Sequence, residues 1–229
     1  MHDSILIIDF GSQFTELIAR RVREMGVYSE VVPFQSAAQA LSRMKPKAVI
    51  LSGGPASPTE EDSPRAPQAV FEAGVPVLGS CYGQMLLAAQ LGGKVESGHH
   101  REFGRAEVSV KAPSALFEGV WSDGAKHTVW MSHGDTIQNI PSTFHVIAST
   151  DAVEVAAFRI EGEPTYAIQF HPEVTHTADG KTILHNFVTE VAGLSQSWTP
   201  THFIESTTAG LKAKLGNDHV LIGLSGGVD

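Results

Sequence analysis

The sequence predicts an α/β fold: a doubly wound, mostly parallel sheet flanked by helices, with an additional smaller antiparallel portion. Three observations predict it. Short apolar runs alternate with amphipathic stretches as far as Gly93, the rhythm of strand–helix units whose strands are buried on both faces. Glycine-rich turns close several of those runs,. Beyond Gly93 the runs shorten and partly alternate in polarity, as antiparallel strands do.

The elements follow in order. Ile5-Leu-Ile-Ile-Asp9 is an aliphatic run and reads as the first strand,. Ser12 is placed to cap a helix with Phe14, Leu17, Ile18 and Val22 on one stripe and Gly26 as its stop,. Tyr28 to Val32 reads as the second strand and Ala37 to Met44 as the second helix. Ala48 to Leu51 is the third strand, running into Ser52-Gly-Gly-Pro55. A polar, proline-spaced loop leads past Pro67 to a helix ending at Ala73. Val75 to Leu78 is the fourth strand, and Tyr82 to Leu91 a helix stopped by Gly92-Gly93.

Shorter strands are expected over Ala106 to Val110, Val129 to Met131, His145 to Ser149, Val153 to Ile160 and Thr165 to Phe170. A helix from Thr182 to Ala192 closes the unit with Ile183, Leu184, Phe187 and Val188. Near Leu194 to Pro200 the composition turns linker-like. A helix from about Thr201 to Leu215 then leads to a strand over Val220 to Gly223 and the turn Ser225-Gly-Gly-Val-Asp229. Residues 1–193 are thus expected to form one domain. Residues 194–229 would be a linker and the opening of a second, cut before the helix that completes a strand–turn–helix unit.

Composition excludes several classes. Hydrophobic residues make up 42% and charged residues 18% of the 229 positions, which fits a globular chain rather than a disordered or fibrous one. The formal charge is −9 with scattered basic residues, so no nucleic-acid partner is expected. No apolar run reaches the length of a membrane span,. One cysteine permits no intrachain disulfide, which suits a reducing cytoplasm.

That cysteine is Cys81, inside Gly79-Ser-Cys-Tyr-Gly83 between a strand and a helix. This is the G-x-nucleophile-x-G pattern with cysteine as the nucleophile. Flanking glycines permit a sharp strand-to-helix turn that lifts the side chain out. At a helix N-terminus, free N–H groups and the positive dipole end favour a thiolate, and the Tyr82 N–H faces a developing oxyanion. A lone thiol is otherwise most often a packed core residue; the elbow context favours the nucleophile.

A thiol nucleophile needs a base and a group that orients it. With eleven histidines, proximity in sequence alone means little. His171-Pro-Glu173 stands out because it follows directly on an expected strand. Residues two apart in extended chain point the same way, so His171 and Glu173 can meet. Pro172 keeps His171 extended at the sheet edge where doubly wound folds place their sites. The competing reading is a solvated turn. Ser52-Gly53-Gly54-Pro55 lies at the same edge, either as an ordinary tight turn or as a loop that lets backbone N–H groups approach a substrate. His99-His100 and His171…His176 lack compact ligand spacing, so no metal site is expected.

Together, Gly-x-Cys-x-Gly, the upstream Ser-Gly-Gly-Pro and the downstream His-Pro-Glu resemble the class I (triad) glutamine amidotransferases. Asp9-Phe-Gly-Ser-Gln13, Ser63-Pro-Arg-Ala-Pro67, Arg101-Glu-Phe-Gly104, Trp130-Met-Ser-His-Gly-Asp135 and His171-Pro-Glu-Val-Thr-His-Thr177 are similar to the purine-nucleotide branch of that family. Ser225-Gly226-Gly227-Val228-Asp229 resembles the opening of the S-G-G-x-D-S pyrophosphate loop of ATP pyrophosphatases.

The resemblance implies hydrolysis of L-glutamine through a γ-glutamyl thioester on Cys81. His171 would act as base and Glu173 as its orienter, with Gly54 and Tyr82 as oxyanion donors. Met131, Ser132 and His133 would hold the amino-acid end of the substrate through main-chain groups. The ammonia would aminate xanthosine monophosphate (XMP) to GMP in a synthetase half needing ATP and Mg. The glutaminase half itself needs no cofactor, Ser225, Gly226, Gly227 and Asp229 would be an incomplete nucleotide loop, and a full-length homodimer is left open. Many members carry a glutamine four residues after the nucleophile, in contact with substrate. Here that position is Met85, and Gln84, turned by about 100° on a helix, is the candidate contact. Rival readings are a γ-glutamyl hydrolase, against which the synthetase-like ending argues, and a non-catalytic binding domain, against which the intact Cys81, His171 and Glu173 argue.

Overall fold

The computed structural model describes residues 3–221 and 223. Nine strands form one mixed sheet: β1 (Ser4–Asp9), β2 (Tyr28–Pro33), β3 (Ala48–Leu51), β4 (Val77–Ser80), β5 (Lys94–Val110), β6 (Lys126–Asn139), β7 (Phe144–Ser149), β8 (Ala157–Ile160) and β9 (Thr165–Ile168). Their order is β2-β1-β3-β4-β9-β8-β7-β5-β6. The first five in that order are parallel, and β8, β7, β5 and β6 continue antiparallel. The antiparallel portion is therefore an extension of the same sheet.

The helices are α1 (Thr15–Glu24), α2 (Ala37–Met44), α3 (Gln68–Glu72), α4 (Tyr82–Gln90), α5 (Gly180–Asn186) and α6 (Pro200–Leu215). Successive side chains of a strand point to opposite faces, and the core divides accordingly. Ile5, Ile7, Ala48 and Ile50 join α1 and α5 residues such as Ile18, Val22 and Ile183 in one cluster. Leu6, Ile8, Val49 and Leu51 join Ala40, Val70 and Leu86 of α2, α3 and α4 in the other. This is why the early strands are apolar at every position.

Several boundaries differ from the sequence reading. The strands expected over Ala106–Val110 and Val129–Met131 are the inner parts of a long β5–β6 hairpin, paired from Lys94↔Asn139 to Ser109↔Lys126. Its polar outer stretches, such as Glu96, Glu102 and Arg105, carry no strand pattern because cross-strand pairing, not burial, extends them,. β8 starts at Ala157 rather than Val153. Ser12 does not cap α1; its Oγ accepts the Phe14 amide at 3.0 Å in the preceding turn, and the helix begins at Thr15. The closing helix starts two residues early and runs into a π-turn over Phe187–Val191. No strand is formed at the described residues Val220, Leu221 and Gly223. The loop residues Ser225, Gly226, Gly227 and Asp229 lie outside the described residues.

Candidate active site

β3, β4 and β9 are adjacent in the sheet and parallel. Their carboxyl ends therefore deliver three loops to one edge: Ser52–Pro55, the Cys81 elbow, and Gln169–Glu173. Ser80 pairs with Ile168, the Cys81 amide donates to the Ile168 carbonyl at 2.9 Å, and Ser80 Oγ donates to the Phe170 carbonyl at 3.3 Å. These bonds hold the elbow beside the chain that carries His171.

Cys81 has φ 54° and ψ −108°, a conformation rare for a non-glycine residue. Such strain costs on the order of 1–3 kcal/mol and persists only where the surroundings enforce it. They do so here. The Gly83 amide donates to the Ser52 carbonyl at 3.0 Å and the Gln84 amide to the Cys81 carbonyl at 3.1 Å. A Cβ on Gly79 would lie 2.6 Å from the Gly83 carbonyl oxygen, and one on Gly83 would strike the Leu51 carbonyl. Only glycine fits either side of the thiol.

The thiol is 5% exposed and opens onto a cavity of about 290 Å³, lined among others by Gly54, Tyr82, Met85, Ser132, His133 and Asp135. Its Sγ donates to the Ser132 carbonyl at 3.4 Å. Gly53 wedges between the groups: a Cβ there would sit 3.3 Å from His171 Cε1 and 3.5 Å from Cys81 Cβ. A Cβ on Gly54 would meet the Phe10 carbonyl oxygen at 2.6 Å, so this turn needs its glycines for close approach.

His171 Nδ1 and Glu173 Oε1 are 2.7 Å apart, and both side chains are buried. The Phe14 ring stands edge-on to the imidazole at 5.3 Å, and Arg21 Nε donates to the Glu173 carbonyl at 3.2 Å. His171 Nε2 has no hydrogen-bond partner. Burial pulls the imidazole pKa down, but Cys81 and then Glu173 outweigh it and push it up to about 10. A neighbouring thiolate and carboxylate thus favour the imidazolium, the form that an imidazole takes on accepting the thiol proton.

The remaining expected residues divide. Gly54, Tyr82, Ser132 and His133 line the cavity. Met131 packs into the core. Gln84 is fully buried, with Nε2 donating to the Val155 carbonyl at 3.1 Å. It points away from the cavity, and Met85 lines the wall instead. The helix starts at Tyr82, so the phase of its first turn directs position 85, not 84, toward Cys81. The sequence reading missed Phe14 as a partner of His171, along with Glu60, Phe103 and Asp135 on the cavity wall. Asp135 stands in the quoted Trp130–Asp135 segment, whereas Phe14 looked like one more core position and Glu60 gave no signal. His133 Nε2 also meets Glu102 Oε2 at 3.1 Å, whose other oxygen accepts from Thr150 at 3.0 Å. Among the described residues, no cluster of three or more metal-ligating side chains occurs.

A thiol on a strained elbow, an imidazole–carboxylate pair beside it and a shared cavity at the carboxyl edge of a doubly wound sheet are the parts of an enzyme that cleaves amides through a thiol. Residues 6–191 match the family model for glutamine amidotransferase class-I. The chain belongs to that family, with glutamine as the substrate that defines it. It is 58% identical over its whole length to a glutamine-hydrolysing GMP synthase of Bradyrhizobium diazoefficiens, of which it covers 41%. It is 56% identical to that of Bartonella bacilliformis over 99% of the chain and 44% of the relative. The chain thus spans about two-fifths of the length of these relatives. A crystal structure from Thermoplasma acidophilum, described as that of a putative GMP synthase subunit, superposes with a TM-score of 0.72 at 30% identity, covering 91% of this chain and 98% of that one. A glutamine amidotransferase from Thermotoga maritima has a TM-score of 0.68 at 19% identity, covering 84% and 99%, and shares the fold.

Proposed function

We propose that the chain is the glutaminase part of a glutamine-hydrolysing GMP synthase and supplies ammonia for amination of XMP to GMP. The observation that carries the chemistry is the placement of Cys81 and the His171–Glu173 pair on either side of Gly53. Likeness to GMP synthases along the whole chain supports the nucleotide branch.

Cys81 gives its proton to His171 Nε2, and the thiolate attacks the side-chain amide carbon of glutamine. The Gly54 and Tyr82 N–H groups receive the oxyanion; the Tyr82 amide is the first of α4, one of those a helix leaves without an internal partner,. His171 returns the proton to the amide nitrogen, the C–N bond breaks, ammonia leaves and a γ-glutamyl thioester remains. His171 then activates water to hydrolyse it, and Glu173 holds the imidazole orientation throughout. Asp135 and Glu60 offer carboxylates on the cavity wall to the substrate ammonium, and main-chain N–H groups of the lining residues Ser132 to Gly134 would receive its carboxylate.

The same reading places the domain boundary at 193/194, close to the end of the family match at 191. Residues 194–229 then belong to the linker and the leading segment of an ATP pyrophosphatase unit, which would use ATP and Mg. A cytoplasmic location fits this role; among the described residues, no helix is long and apolar enough to cross a membrane. The test is glutamate release by the 229-residue chain against Cys81→Ala as blank. Release above the blank supports the reading, and release equal to it would sink the assignment of a working thiol.

A further inference from the structure

Thr177 lies six residues beyond His171 and takes no part in the chemistry above. The residue is 2% exposed. The Trp130 amide donates to its hydroxyl oxygen at 3.0 Å, and the hydroxyl donates to the His171 carbonyl at 2.7 Å. Both directions are fixed, because an amide only donates, a carbonyl only accepts, and the hydroxyl has a single proton. In the opposite sense, the His171 amide donates directly to the Trp130 carbonyl at 3.0 Å. His171 and Trp130 therefore form a reciprocal backbone pair in which one bond is direct and the other passes through a side-chain hydroxyl.

This pair spans elements that the sheet keeps apart. Trp130 belongs to β6 at the far edge, and His171 follows β9, with β8, β7 and β5 between them in the order. Two residues along β6 from Trp130, the Ser132 carbonyl accepts from the Cys81 thiol. One strand thus contacts the nucleophile directly, and the histidine backbone both directly and through Thr177. Thr177 is itself held, with its amide on the Val174 carbonyl at 3.2 Å and its carbonyl accepting from Gly180 at the start of α5 at 3.0 Å.

We propose that Thr177 is a positioning residue: its hydroxyl sets the spacing between the His171 backbone and β6, and so the reach of the imidazole toward Cys81. The inference rests on the reading of His171 as the base. Without the hydroxyl, a part-buried N–H and a buried carbonyl lose their partner,, and only the direct bond from the His171 amide to the Trp130 carbonyl is left to hold that spacing. A misplacement of about 1 Å costs reacting groups about 10²-fold in rate.

The experiment is steady-state glutamate release by the 229-residue chain carrying Thr177→Val, Thr177→Ser or His171→Asn. Thr177→Val should lower kcat by about 10- to 100-fold. The KM for glutamine should stay within about threefold, and Thr177→Ser should return kcat to within about threefold of the unaltered chain. The rates are taken per folded molecule, with the folded fraction of each variant read from urea melts, so that a merely structural loss, which removes folded enzyme, is not counted as a loss of kcat. An unchanged kcat in Thr177→Val, a loss confined to KM, or a serine variant as slow as valine would overturn the proposal. If Thr177→Val does not fold, amide exchange in the unaltered chain decides: Trp130 should be as protected as its β6 neighbours, and rapid exchange there overturns the spacing role. Full turnover in His171→Asn would instead remove the base reading, whatever the Thr177 variants do.

Discussion

The Cys81 thiol donates to the carbonyl of Ser132 on β6, 3.4 Å away. The imidazole Nε2 meanwhile has no hydrogen-bond partner, although the thiol lies close enough to raise its pKa. The strand that contributes Ser132 and His133 to the cavity wall thus also holds the thiol.

Glu173 is bonded to His171 at 2.7 Å, and on the proposed mechanism it acts only through that residue. Glu173→Ala should keep the nucleophile and lose well-aligned proton transfer, a loss of at most about 10²- to 10⁴-fold in kcat. Cys81→Ala should show no turnover. Glutamate release at the unaltered rate in Glu173→Ala would take this residue out of the mechanism.

Gln84 and Met85 should respond differently to substitution. Met85→Gln puts an amide on the cavity wall and should lower the KM for glutamine with little change in kcat, as an interaction equal in ground and transition states does. Gln84→Leu strands the Val155 carbonyl in the core and should destabilise the fold by about 1–3 kcal/mol without changing KM. Urea melts and kinetics on the two single variants separate these effects. A KM effect from Gln84→Leu and none from Met85→Gln would reverse the assignment.

His171 also predicts a pH dependence of stability. Burial opposes its charge, but Cys81 and Glu173 raise its folded pKa from 6.5 to about 10. The raised value means the folded state binds the proton more tightly. Its stabilisation is complete below about pH 6.5 and is lost as pH rises toward 10. The stability advantage over His171→Asn should therefore be largest at pH 6 and shrink by pH 10, as measured by denaturant unfolding at several pH values. A difference that stays constant across that range would mean the pair does not stabilise the imidazolium.

The chain sequence by itself determined the parallel half of the sheet and the elbow. Every position of Ile5–Ile8 and Ala48–Leu51 is buried because both faces are covered, and continuous aliphatic runs report that directly. Gly79, Gly83 and the Cys81 between them report a turn whose glycines are required by contacts with Leu51 and Leu87. His171 and Glu173 are local neighbours that the sequence paired correctly, but they meet across a turn and not in extended chain, because β9 ends at Ile168 and Pro172 and Glu173 turn. Only the tertiary structure decided the rest. The length of the β5–β6 hairpin comes from cross-strand pairing of polar residues. The choice of Met85 over Gln84 at the cavity comes from the phase with which α4 packs on the sheet. Thr177 reaches Trp130, and Phe14 reaches His171, across 47 and 157 positions of chain. Such contacts leave no periodic trace, because a single residue's pattern records how much of it is buried but not which distant group it meets.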